Sequence, residues 1–398
     1  MGARAIAADH QDFSVVIGGP LFQLFRKAHL SGDGLELVGT RMFVMLALSW
    51  LPLLILSAVQ GLALGSNVVL PFLHDIEAQA RILLFLPLLV TGEIVVHQRL
   101  RSVANQFLQR ELIPADARPR FEAAIASAMR LRNSVVAEVM MIAVVYVVGL
   151  AIVWRTTSLD VATWYATPNG NGKSLSLAGY WYVFFALPLT QFLLFRWYYR
   201  LFIWSRFLWQ VSRIQLRLVP THPDRIGGLG FLGGATAAFS TLALAHGTFV
   251  SGWIAARIFL QQATLLDFKF VIIALAVWML LLFLGPFLLF SAQLAEARRQ
   301  GEREYGPLAQ RYARQFDTKW VHGDAPPPRD EPFLGSADIQ SLADMGNVYT
   351  LVSTMRFTPI TRQAVVQLLG ATLAPIAPLT LTMMPLAEAA KLLFGILM

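Results

Sequence analysis

Residues 268–290 read FKFVIIALAVWMLLLFLGPFLLF, and after Lys269 at its edge 21 consecutive positions carry no charge. About 20 apolar residues in a helix cross a hydrocarbon core roughly 30 Å thick. Helix is the expected form, because backbone polar groups in lipid must be satisfied within the segment. Six similar runs recur: Met42–Leu64, Ile82–His97, Val135–Trp154, Tyr180–Trp204, Gly234–Ala256 and Ala364–Leu386. The last contains Pro375, Pro378 and Pro385 and reads either as a seventh span or as a re-entrant helix.

The whole chain agrees with these segments. Of 398 residues 56% are hydrophobic and 14% charged, with a mean hydropathy of +0.57, against the roughly 25% charged of an ordinary soluble domain. That excludes an ordinary soluble enzyme. With no cysteine, disulfides, thiolate metal sites and thiol catalysis are excluded too. The expected fold is all-α: a polytopic α-helical membrane protein of about seven transmembrane helices, or six plus a re-entrant C-terminal helix, with cytoplasmic helical extensions.

Lys and Arg accumulate in cytoplasmic loops. The stretches 1–41, 98–134, 196–232 and 291–362 hold 26 of the 32 basic residues, so the N-terminus is expected in the cytoplasm, with the chain in a bacterial inner (plasma) membrane. The formal charge of +8 then reports topology and attraction to anionic lipid at the cytoplasmic face, and no nucleic-acid partner is expected. Four regions follow: a cytoplasmic or interfacial segment 1–41, a six-helix bundle 42–290, cytoplasmic helices with a Pro-rich linker at 291–362, and a C-terminal membrane helix 363–398. Phe13–Phe25 lacks a signal-peptide pattern, being broken by Gly18, Gly19 and Pro20. Helical spacing through Phe121, Ile125, Ala128 and Arg132 predicts a helix leading into the third span. Offsets such as Glu296 with Arg299 predict a solvated helix after the sixth.

Ionisable residues inside spans are costly and mark either structural pairs or pathways. Glu93 and His97 sit one turn apart in the second span, Glu138 opens the third, Arg196 lies in the fourth and His246 near the middle of the fifth. Pairing of Glu93 or Glu138 with Arg196 or Arg200 is the structural reading. A polar pathway through Glu93, His97 and His246 is the functional one. No cofactor or metal is expected, since Glu93 and His97 lack a third ligand and no HExxH, GxSxG or paired aspartates occur in the spans. An enzyme is therefore the less favoured reading. Nine aromatics near span ends, from Trp154, Trp164 and Tyr165 through Tyr180–Tyr182 to Trp197–Tyr199, read as interfacial anchors.

The segment THPDRIGGLGFLGG, 221–234, holds five glycines in eight positions. Gly228, Gly230 and Gly233 fit GxGxxG, but no strand precedes them and no acid follows at the required distance, so a dinucleotide site is rejected. One reading is a tight turn with close backbone packing at Gly230 and Gly234. The other is an anion site built by His222, Asp224, Arg225, Gly227, Gly228 and Gly230 at a helix start.

In the last span Gln363, Gln367, Gly370, Ala374 and Ala377 share one face, with Thr380 beyond Pro378. A narrow polar face of small residues suits either a tight contact or a pore at a symmetry axis. The order of elements resembles the layout of insect chemoreceptor channels in topology alone, with no shared motif and no site carried over. The expectation is a homo-oligomeric ion channel or small-solute pore with the last helix near the axis. The alternatives are a membrane-embedded transporter or lipid or glycan enzyme using Glu93, His97 and His246, and a signalling or scaffold protein.

Overall fold

A computed structural model describes residues 13–27, 37–65, 67–153, 162–169, 172–322 and 337–383. Trp154, the Pro-rich linker from 323 to 332 and the end of the seventh apolar run beyond Met383 lie outside the described residues. The fold is all-α apart from one two-stranded hairpin, β1 (Ala166–Asn169) with β2 (Gly172–Leu175). Its helices are α1 (Pro20–Lys27), α2 (Val38–Val59), α3 (Ile76–Gln109), α4 (Ala115–Arg132), α5 (Val135–Val144), α6 (Leu177–Val211), α7 (Leu229–Gln261), α8 (Leu265–Trp320), α9 (Ala337–Ser353) and α10 (Arg362–Leu373).

Five of these are long and apolar enough to cross a membrane, or seven if two bent pairs each count as one span. The first pair joins α4 to the helix beginning at Val135 at 46°. The predicted continuous stem is therefore broken at Asn133, because Ser134 caps α5 by accepting from the Ala137 amide at 3.2 Å. The second joins α10 to a 3-10 turn, Ala377–Met383, at 54°, where Pro375 cannot continue the helix. That turn packs on Leu265–Phe268 at the start of α8.

Two of the three π-turn stretches among the described residues share a local reason, while the third, Val145–Val153, continues α5 with no proline just after it. Ala80–Phe85 of α3 is followed by Leu86-Pro87-Leu88, and Tyr182–Ala186 of α6 by Leu187-Pro188-Leu189. Proline lacks an N–H and its ring excludes the carbonyl four residues back. The wider turn resolves both problems without breaking the helix.

Helix α7 is central, packed along α3 on one side and α10 on the other. Its backbone approaches α10 most closely at Gly247, where a Cβ would collide with the Thr372 carbonyl oxygen. Ser251 donates to the Pro375 carbonyl at 2.6 Å beside it. The close packing sought at Gly230 and Gly234 is thus found further along α7: a Cβ at Gly234 would meet nothing, and one at Gly230 only Asp224 of its own turn.

The outer faces are apolar. Phe43, Val59, Val136, Val147 and Phe270 are 68–76% exposed, and only 22% of the most apolar window of α2 or of α8 is buried inside the chain. Such surfaces require an apolar environment. The aromatic residues read as interfacial anchors divide differently: Trp164, Tyr165, Tyr182 and Trp197 are buried, while Tyr180 is exposed.

Candidate functional site

Two polar regions lie at opposite ends of the bundle. The first, at the end carrying most of the basic residues, is built on Glu93 of α3. Its carboxylate accepts from Arg200 at 2.7 Å and from Arg41 of α2, and lies 3.5 Å from Arg196. Arg196 also approaches Glu138 of α5 at 3.6 Å. All five side chains are buried. The expected pairing of Glu93 and Glu138 with α6 is therefore present, with Arg41 as an added partner that the sequence placed among flanking charges.

The segment before α1 closes this region. Phe13–Gly19, read from sequence as interfacial or cytoplasmic, packs against the bundle, with Phe13, Ser14, Val15 and Val16 buried. The Val16 carbonyl accepts from Arg200 and the Gly18 carbonyl from Arg196, each at 3.4 Å. Glu138 accepts from the Leu21 amide at 2.8 Å, placing a carboxylate on the first turn of α1 where helix-end charge favours it. An irregular segment can be buried only if its carbonyls find donors, and here guanidinium groups supply them.

His97 and His246 belong to separate arrangements. His97 Nδ1 accepts from the Ser14 hydroxyl at 2.8 Å, since that oxygen already accepts from the Val16 and Ile17 amides. His246 Nδ1 faces the Leu242 carbonyl at 2.7 Å and must donate to it, leaving Nε2 to accept from Tyr198 at 2.9 Å. No hydrogen bond or ion pair joins any two of Glu93, His97 and His246 among the described residues.

The glycine-rich turn binds its own anion. Asp224 Oδ1 accepts from the Ile226 and Gly228 amides at 2.8 and 3.2 Å, and Oδ2 from Gly230 at 2.8 Å. Although burial opposes ionisation, these three amides and His222, 2.9 Å away, hold the carboxyl below its ordinary range. The donors that an external phosphate would need at these three residues are already engaged. Arg225 at φ 57°, Gly227 at 64° and Gly228 at 97° give the turn its shape. His222, Gly227 and Gly228 do line a surface hollow with Arg110 and Arg217; Asp224, Arg225 and Gly230 do not.

On α10 the predicted faces separate. Gln363, Gln367, Gly370, Ala374 and Ala377 are exposed, while Ala364, Leu368 and Thr372 are buried. Thr380, also exposed, donates its hydroxyl to the Ala377 carbonyl at 2.6 Å.

The second polar region was not singled out in the sequence. At the hairpin end a cavity of about 430 Å³ opens between α3, α6 and α7. Arg81, on the π-turn of α3, donates to Glu77 at 2.5 Å and to Tyr182, on the π-turn of α6, at 2.5 Å. Asp75 caps α3 and accepts from the Trp164 indole at 2.8 Å; burial pushes its carboxyl upward, while these donors oppose the shift. Arg257 of α7 lies 3.8 Å over the Trp253 ring. A signal did exist: among the described residues the stretches 67–81, 162–178 and 257–269 hold four basic residues, and two of them, Arg81 and Arg257, line the cavity.

The class defined by these observations is an all-α bundle of five to seven apolar helices with a charged core at one end and a cavity at the other. Comparison with known protein families, curated proteins and solved structures finds no match.

Proposed function

We propose that the chain is an integral protein of a bacterial inner membrane, with seven spans and a cytoplasmic N-terminus, that assembles with copies of itself into an ion channel or small-solute pore. The observation carrying the pore reading is the exposed polar and small face of α10, with Gln363, Gln367, Gly370 and Ala374 left uncovered among the described residues while the opposite face packs on α7. In lipid such a face lowers its free energy against another protein surface or water. Anionic lipid meets the basic end. A pathway through Glu93, His97 and His246 has less support, because each is held in its own network and Glu93 is neutralised by arginine.

The test is twofold. Mass photometry in detergent is expected to find a closed oligomer, and liposomes bearing the protein are expected to release monovalent ions. A monodisperse monomer would remove the shared axis on which the reading depends.

A further inference from the structure

The cavity at the hairpin end holds three polar groups whose capacity is not spent. Arg257 uses one N–H, donating to the Trp253 carbonyl at 3.1 Å, out of the five that a guanidinium carries. Glu77 forms a loose ion pair with it at 3.9 Å without taking a hydrogen bond, while its other oxygen accepts from Arg81 at 2.5 Å. The Tyr182 hydroxyl accepts from Arg81 and keeps its own hydrogen for a further bond. Gln191 makes no side-chain hydrogen bond among the described residues and lines the same cavity. The acids are committed: Asp75 serves the Ala78 amide and the Trp164 indole, and Glu77 serves Arg81.

The unspent groups are therefore a cation, a hydroxyl hydrogen and an amide, which together favour a negative ligand. Arg257 stacked on Trp253 presents a planar fork suited to a carboxylate or phosphate. The remaining wall is apolar, with Phe85, Leu187, Leu194 and Phe249. We infer that this cavity binds an amphipathic anion, its carboxylate or phosphate head on Arg257 with Tyr182 and Gln191 in reach, and its apolar body against those four side chains. The inference stands apart from the pore: it holds whether or not the chain conducts.

The experiment measures binding to the full chain in phosphatidylcholine nanodiscs by calorimetry, using decanoate and decyl phosphate against decanol and decylamine. Both anions are expected to bind at least about tenfold more tightly than the neutral and cationic probes, as one charge-assisted hydrogen bond implies. Arg257→Gln, at a half-exposed position, is expected to weaken decanoate binding about tenfold with an unchanged melting temperature of the unliganded protein. Gln191→Leu gives a second reading, with a smaller loss. Nanodiscs containing phosphatidylglycerol separate the two sources of such a ligand. If the occupant is a membrane lipid, decanoate binding falls and native mass spectrometry finds phosphatidylglycerol retained by the wild type and lost from Arg257→Gln. If it is a free solute, decanoate binds equally in both lipids. Equal affinity for anionic, neutral and cationic probes, or decanoate binding indifferent to Arg257→Gln, would overturn the assignment.

Discussion

Glu93→Gln takes away the counter-charge that Arg41, Arg196 and Arg200 share inside the bundle. Breaking a buried ion pair costs about 3–5 kcal/mol, because the surviving charge stays desolvated. A large fall in the thermal unfolding midpoint is the expected result; an unchanged midpoint together with reduced ion flux would instead restore Glu93 to a pathway. Asp224 gives a gentler and pH-dependent case. Its carboxyl is held below the ordinary value of 3.8, so the stability it contributes is fully present above that pH and is lost as pH falls through the lower folded value. Asp224→Asn should cost about 1 kcal/mol and abolish that acid limb of the unfolding profile; an identical acid limb in the variant would count against it. The partners of Glu93 on α6 were legible because a charge within an apolar run demands an opposite one. Arg41 was not, because at the edge of a span it is indistinguishable from a flanking charge. Neither was the use made of Asp224, since sequence shows a turn former without showing which amides it reaches.

Helices were legible wherever apolar period and length coincide, which is why α2, α6, α7 and α8 fall where the runs predict. The segment Phe13–Gly19 was not, since its acceptors and donors are 178 and 184 residues apart in sequence, and Gly18-Gly19-Pro20 signals an irregular backbone without telling whether it is buried. The π-turns lie between these cases: proline announces a disturbance, while the widened turn that brings Arg81 to Tyr182 depends on two helices meeting. Contact between α7 and α10 rests on Gly247, so Gly247→Val should force the helices apart by more than a side chain can absorb, since the colliding atom is the backbone oxygen of Thr372. The cysteine-free chain allows spin labels on cysteines placed at the exposed positions Phe259 and Val366 without any prior removal. A longer or broader distance distribution in Gly247→Val is expected, and an unchanged one would mean that the contact does not set the position of α10.

For the molecule as a whole, the decisive surface is the face of α10 left open among the described residues, and its two uses differ in how they respond to bulk and charge. Ala374 is exposed among the described residues, so Ala374→Trp should fold. If the face packs tightly against its copy, the indole overpacks that contact at a cost of about 1–3 kcal/mol per site, and mass photometry finds the oligomer dissociated. If the face lines a pore, the oligomer survives and conduction is blocked. Gln367→Glu separates the cases again, because a ring of carboxylates in place of neutral amides attracts cations and shifts the reversal potential toward cation selectivity, whereas at a dry contact the same ring repels itself and weakens assembly. We expect the pore pattern: both variants assembled, Ala374→Trp silent and Gln367→Glu more cation-selective than wild type. Well-folded wild-type protein that passes no ions under varied voltage, pH and anionic lipid would sink the channel reading, and the exposed face of α10 would then serve attachment to a partner.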